Sequence, residues 1–179
     1  MVVTKKQREA QQIIGAKAET RTFIMRGLRL FAHIPASLNS HVMPLPEQLL
    51  PARILAKASL CGNEYAWRID DVEDTIRAAH SSNLATIGGQ IQFRLPDGTC
   101  ELYWLAADSS RRRDDEDWSS FVSRSANEVI EKFRSLQAKF NFVAEGVKEF
   151  TFLSEKHKQG FVLADYLYFI LYFEAETAA

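Results

Sequence analysis

Asp70, Asp71, Glu73 and Asp74, in the stretch "RIDDVED", crowd carboxylates together as a divalent-cation site or an acid–base pair would. No His or Cys stands beside them to complete a ligand set. Acids in a first helical turn also have a simpler role, complementing the helix dipole and its unpaired amides by about 0.3–1 kcal/mol each. The spacing fits that role: Asp70 as the cap, Glu73 three residues on, then Val72, Ile76 and Ala79 as one apolar stripe running to His80. The expectation is a helix start that binds no metal.

Gly88-Gly89 is the second candidate, since paired glycines can cradle a phosphate. A phosphate loop, however, feeds a helix, and here the sequence continues as a strand, so a bulge or a tight entry into a sheet is the expected role. His33, His41, His80 and His157 are scattered, without a His-Glu-x-x-His pair or a Gly-x-Ser-x-Gly nucleophile turn. A hydrolase-like site would have to be assembled from distant residues, with His33, His157 or carboxylates converging on a pocket. The reading names no catalytic residue, no metal ligand and no cofactor.

Aromatic residues gather around the most organised stretch: Tyr65, Trp67, Tyr103, Trp104 and Trp118. Such residues build cores and also binding hot spots. Ile91, Phe93 and Leu95 alternate with Gln90, Gln92 and Arg94 as on a half-exposed sheet, Pro96-Asp97-Gly98 makes a turn, and Cys100 to Leu105 returns as the partner strand. Strict alternation places Tyr103 opposite Leu102 and Trp104, beside Glu101 and near Gln92 and Arg94. That face is polar with an aromatic on it, the best candidate binding face.

The surrounding elements follow from period and punctuation. Thr4 to Glu19 suits a lightly packed helix with fraying ends, and 1–20 is expected to be mobile; Thr22 to Ile34 is core of undecided type. Pro35 to Pro51 carries four of the five prolines and forbids regular structure over most of its length. Leu49, Leu50, Ile54, Leu55 and Ala58 have helical spacing, stopped by Cys61-Gly62-Asn63. Ser109 to Ser120 is a charged loop, after which Ser125 and Glu128 form a second capping box for a helix bearing Val122, Ala126, Val129, Ile130, Phe133 and Leu136. Glu145 to His157 is expected to be helical, and Gly160 precedes a closing strand over Phe161 to Phe173. The expected fold is α+β: a mainly antiparallel sheet centred on the hairpin Gln90 to Leu105, flanked by helices near Asp71 to His80 and Ala126 to Phe140, in one domain over 1–179.

Composition bounds the function. Hydrophobic residues make up 46% and charged residues 25%, values of a folded globular chain. Lys plus Arg number 22 against 23 Asp plus Glu, so no global field favours nucleic acid or an anionic membrane. Cys61 and Cys100 lack the number for a disulfide framework and the pairing of a zinc site, and read as reduced core thiols. The start, MVVTKKQREAQQ, lacks a signal-peptide core, which points to the cytoplasm. The apolar run Tyr166 to Phe173 is far short of the roughly 20 residues that span a bilayer, and reads as core.

The series "ILAKAS…EYAWRIDDVEDTIRAAHSSNLATIGGQIQF…GTCELYWL" followed by "WSSFVSRSANEVIEKF" resembles small bacterial immunity proteins of polymorphic toxin systems. The shared order is an Ile-Leu helix, Ala-Trp-Arg before an Asp-Val helix, Gly-Gly before a strand, an aromatic strand, and Trp then Arg-Ser before an amphipathic helix. It covers Ile54 to Phe133, and Gln90-Ile91-Gln92 departs from the Asp-Val-Tyr type strand start of those relatives. The resemblance implies binding without turnover: the protein covers the active site, or another required surface, of a cognate toxin. Toxins of that kind are often nucleases with basic clefts, so Asp114, Asp115, Glu116 and Asp117, with Trp118, would serve as an anionic probe beside Arg111 to Arg113. The expected partner-binding set is Gln92, Arg94, Glu101, Tyr103, Asp114, Asp115, Glu116, Asp117 and Trp118. The other readings are a cryptic enzyme and a general interaction module.

Overall fold

The computed structural model describes residues 45–177. The readings for Thr4 to Glu19, Thr22 to Ile34 and the first part of the proline-rich segment lie outside the described residues. A 3-10 turn at Pro46–Leu49 leads to a one-turn helix α1 (Ala52–Leu55), then strands β1 (Ser59–Cys61) and β2 (Glu64–Arg68). Helix α2 (Val72–Ser81) precedes the long hairpin of β3 (Leu84–Leu95) and β4 (Gly98–Asp108). Helices α3 (Trp118–Lys139), α4 (Phe142–Glu149) and α5 (Thr151–Lys158) follow, and β5 (Leu167–Ala175) closes the described chain.

The α+β class holds, with every strand pairing antiparallel in the order β1-β2-β5-β3-β4. The hairpin is not at the centre, however. That place goes to β5, because its apolar residues Leu167, Phe169, Ile170, Leu171 and Phe173 can be buried only between two other strands. The helical spacing read through Ala58 ends earlier, at Leu55. Ser59 to Arg68 is a hairpin turning at Gly62, whose φ of 60° suits glycine.

One sheet face carries Ile91, Phe93, Leu102, Phe169 and Leu171 into a core shared with Val72 and Ile76 of α2, Val129 and Phe133 of α3, and Phe142 and Leu153. Phe133 meets Phe169 edge to face, ring centroids 5.0 Å apart. Full burial of side chains this size stabilises by about 1.5–3 kcal/mol each. Trp67 is fully buried, its indole N–H donating to Ile54 O at 3.0 Å. The backbones of β3 and β5 lie too close at Gly89 for a side chain: an added Cβ would lie 1.8 Å from Ile170 O.

The expected bulge at the glycine pair is present. Thr86 faces Phe173 and Gly88 faces Tyr172, so Ile87 is the extra residue, and Gly88 adopts φ 145°. Two helix starts differ from expectation. Asp70 caps nothing: a 3-10 turn at Ile69–Asp71 enters α2, and Asp71 makes no side-chain cap, pairing instead with Lys57 at 2.6 Å. Ser125 and Glu128 are not a capping box either, because α3 begins two turns earlier. Its cap is Asp117, which accepts from the Ser120 amide at 2.9 Å, and Ser125 is buried inside the helix, accepting from Thr86 N at 3.1 Å.

Candidate functional site

The polar residues of the hairpin form one network. Gln90 Nε2 and Gln92 Nε2 donate to the two oxygens of Glu101 at 3.0 and 2.8 Å. Gln92 Oε1 accepts from Arg94 Nε at 2.5 Å, and the Arg94 guanidinium also donates to Ser59 O at 2.5 Å and Glu64 O at 3.1 Å. The Arg94 side chain thus reaches the β1–β2 hairpin. This face is not half-exposed as its alternation suggests: Gln90, Gln92 and Arg94 are all buried, Gln92 with only 2% of its surface accessible. Burial pulls the Arg94 guanidinium below its ordinary value, and the nearby Glu64 carboxylate opposes that shift. Sheet-wide hydrogen bonding therefore employs Gln92, Arg94 and Glu101.

The partner strand departs from strict alternation. Ile91 faces Leu102 but Gln90 faces Ala106, so Tyr103, Trp104 and Leu105 have no opposing position on β3. This three-residue bulge points two consecutive aromatics outward, Tyr103 45% and Trp104 39% exposed, while Leu105 returns to the core. Trp104 is therefore not on the Leu102 side. The two rings meet edge to face with centroids 5.1 Å apart, and Trp104 stacks on Phe150 at 6.2 Å. Each ring is braced by a neighbour yet open to solvent.

The charged loop divides in two. Glu116 accepts from Arg124 Nε and Nη2, both at 2.7 Å, and from the Arg113 amide at 3.2 Å. The Arg124 fork holds the Glu116 carboxyl down at about 2, and two carboxylates raise Arg124. Asp117 is held well below the carboxylate range by Ser120 and Ser119. Trp118 is buried, its indole donating to Asn83 O at 3.0 Å. Asp114 and Asp115 alone of the expected anionic probe are exposed with no cap or clamp among these contacts.

Other chemistry-bearing groups are placed as follows. Glu73 accepts a bidentate Arg134 at 2.6 and 2.7 Å and Arg77 at 2.7 Å, tying α2 to α3; Arg134 lowers its carboxyl most. Among the described residues no three His, Cys, Asp or Glu side chains are grouped to hold a metal ion. A hollow of about 300 Å³ lies between α1 and α2, rimmed by Arg53, Asp74 and Arg77 over Ile54 and Ala78, away from every expected site residue. His157 is exposed on α5 and His33 lies outside the described residues. Sequence reasoning missed one pair: His80 Nε2 lies 3.1 Å from Ser123 Oγ, on neighbouring helices. No spacing rule could have found it across that much chain. Cys100 is buried, but Cys61 is exposed on β1, not in the core. No described helix is long and apolar enough to cross a membrane.

Comparison of the chain with protein-family models, with curated proteins and with solved structures finds no match in any of the three.

Proposed function

We propose that this protein is a binding protein of the immunity type, acting in the bacterial cytoplasm by covering a cognate protein toxin through the Tyr103–Trp104 surface. One observation carries the reading: the bulge in β4 turns two adjacent aromatics to solvent, packed edge to face on each other with Phe150 stacked on Trp104. A fold that merely needed a hairpin would leave those rings in the alternation and bury Trp104. Preordered aromatics supply contact area at low entropic cost and are the usual centres of tight interfaces. The ordered resemblance over Ile54 to Phe133 supports the choice of a toxin as partner.

The trial is co-expression with a toxin encoded beside the gene. Survival and a purified complex are the expected result. Tyr103→Ala with Trp104→Ala should then speed dissociation by at least about thirtyfold, the equivalent of roughly 2 kcal/mol, and change association little. Death of the cells with no complex recovered would remove the reading.

The His80–Ser123 contact favours a second reading, a serine hydrolase. Labelling by a fluorophosphonate at Ser123, lost in His80→Ala, would promote it. An unlabelled Ser123 ends it.

A further inference from the structure

The loop 109–117 reads as acidic in sequence, but its fold reassigns its charges. Glu116 is spent on Arg124, and Asp117 on the start of α3. Arg111, Arg112, Arg113, Asp114 and Asp115 remain exposed, and among the described residues no salt bridge engages the three arginines. Arg112 is itself partly used, its Nε donating to Glu116 O at 2.9 Å and its guanidinium lying 5.6 Å over the Trp118 ring. Arg111 and Arg113 are the cations presented to solvent, with two aspartates next to them.

Their backbone is held from below. Arg124 Nη2 donates to Arg111 O at 3.1 Å, and its Nη1 pairs with Glu128 at 2.8 Å. Glu128 in turn accepts from the Ser110 amide at 2.6 Å, and Glu116 accepts from the Arg113 amide. One arginine therefore fixes both ends of the arginine run through two carboxylates.

We propose that this loop is a preordered docking element whose Arg111 and Arg113 receive carboxylates of a partner protein, with Asp114 and Asp115 meeting a cation beside them, and that Arg124 is its positioning residue. The proposal rests on the protein-binding reading above and reverses the polarity that the loop's sequence suggests. Arginine forks match carboxylates in a planar, bidentate geometry. Holding the loop before the encounter removes ordering cost from binding. A nucleic acid fits less well, since a run of phosphates would have to pass Asp114 and Asp115, and the formal net charge of the chain is −1.

The probes are the peptide acetyl-Glu-Glu-Gly-Lys-Lys-amide and a short oligothymidylate, each titrated at low ionic strength into the isotope-labelled full chain and followed by amide shifts. The peptide should move the amides from Ser110 to Asp115. Arg111→Glu with Arg113→Glu should weaken it by about fivefold or more. Arg124→Ala leaves every exposed charge in place, yet should weaken the peptide and speed hydrogen exchange at the Ser110 and Arg113 amides. Should Arg124→Ala fail to fold, Arg124→Lys, which keeps charge but loses the fork, is expected to fall between it and wild type. Absence of loop shifts with the peptide, or stronger shifts with oligothymidylate, overturns the proposal. Unchanged peptide binding in the Arg124 variants overturns the positioning role. No toxin is used, so failure here is distinct from failure of the co-expression trial.

Discussion

Arg94 and Arg124 each anchor a network of hydrogen bonds, and they are held in different ways. Arg94 is buried and its hydrogen bonds end on neutral acceptors, the Gln92 amide and the carbonyls of Ser59 and Glu64. Arg124 lies nearer the surface and ends chiefly on two carboxylates, with the Arg111 carbonyl beside them. Burial lowers the first guanidinium and carboxylates raise the second. A cation that satisfies backbone carbonyls acts as a structural cross-link between strands. A cation that bridges a loop carboxylate to one on the helix beneath it fixes that loop's shape without carrying the fold.

That contrast predicts different failures. The largest should come from the sheet side: Gly89→Ala drives a Cβ to 1.8 Å from Ile170 O, a backbone atom that cannot move without breaking the β3–β5 ladder. A loss of about 3 kcal/mol or more in urea unfolding is expected; a stable Gly89→Ala would mean that the strands there are further apart. Next, Arg94→Ala should cost about 3 kcal/mol, because it leaves the buried Gln92 Oε1 and two part-buried strand carbonyls short of a donor. If instead Arg94→Ala and Arg124→Ala shift the urea midpoint equally, the contrast between cross-link and clamp is lost.

The smallest effect is on titration. Glu116 is depressed to about 2 from an ordinary 4.5, chiefly by Arg124. A carboxyl depressed on folding contributes stability fully above its ordinary value and loses it as pH falls toward the folded one. The Arg113 amide, which donates to Glu116, should therefore lose protection below pH 4.5 and toward 2 in the wild type. In Arg124→Ala the Glu116 carboxyl should titrate near its ordinary value, measured by its carbon chemical shift.

Much of the fold is legible in the sequence where one period runs unbroken. Val72, Ile76 and Ala79 announce α2, the Gly88 bulge follows from paired glycines before a strand, and the hairpin turn is at Pro96-Asp97-Gly98. The misplaced start of α3 had a readable signal: Trp118, Phe121, Val122 and Ser125 continue the helical spacing of Val129 and Phe133 back to Asp117. The acids around them disguised a cap as a charged loop. Likewise the bulge in β4 is marked by a slip in phase, since Cys100 and Leu102 are buried at even positions and Leu105 and Ala107 at odd ones. The candidate site was less legible. Alternation separates the two faces of a strand but says nothing of whether the polar face meets water, and Gln92 and Arg94 meet the protein's own backbone instead. Local charge counts also miss Arg124, whose partners Glu116 and Glu128 become one cluster only when α3 forms beneath the loop.

The same bulge has a consequence for how the molecule behaves in a crowd. Among the described residues β4 is an edge strand, and a flat edge strand offers a free ladder on which another chain can nucleate fibrils. Here the ladder is interrupted at Tyr103 to Leu105, and Lys132 donates its ammonium to Asp108 O at 2.5 Å near the strand's end. The opposite edge, β1, is only three residues long. Among the described residues, then, neither border offers the long, flat, unbroken ladder on which amyloid-type growth is templated.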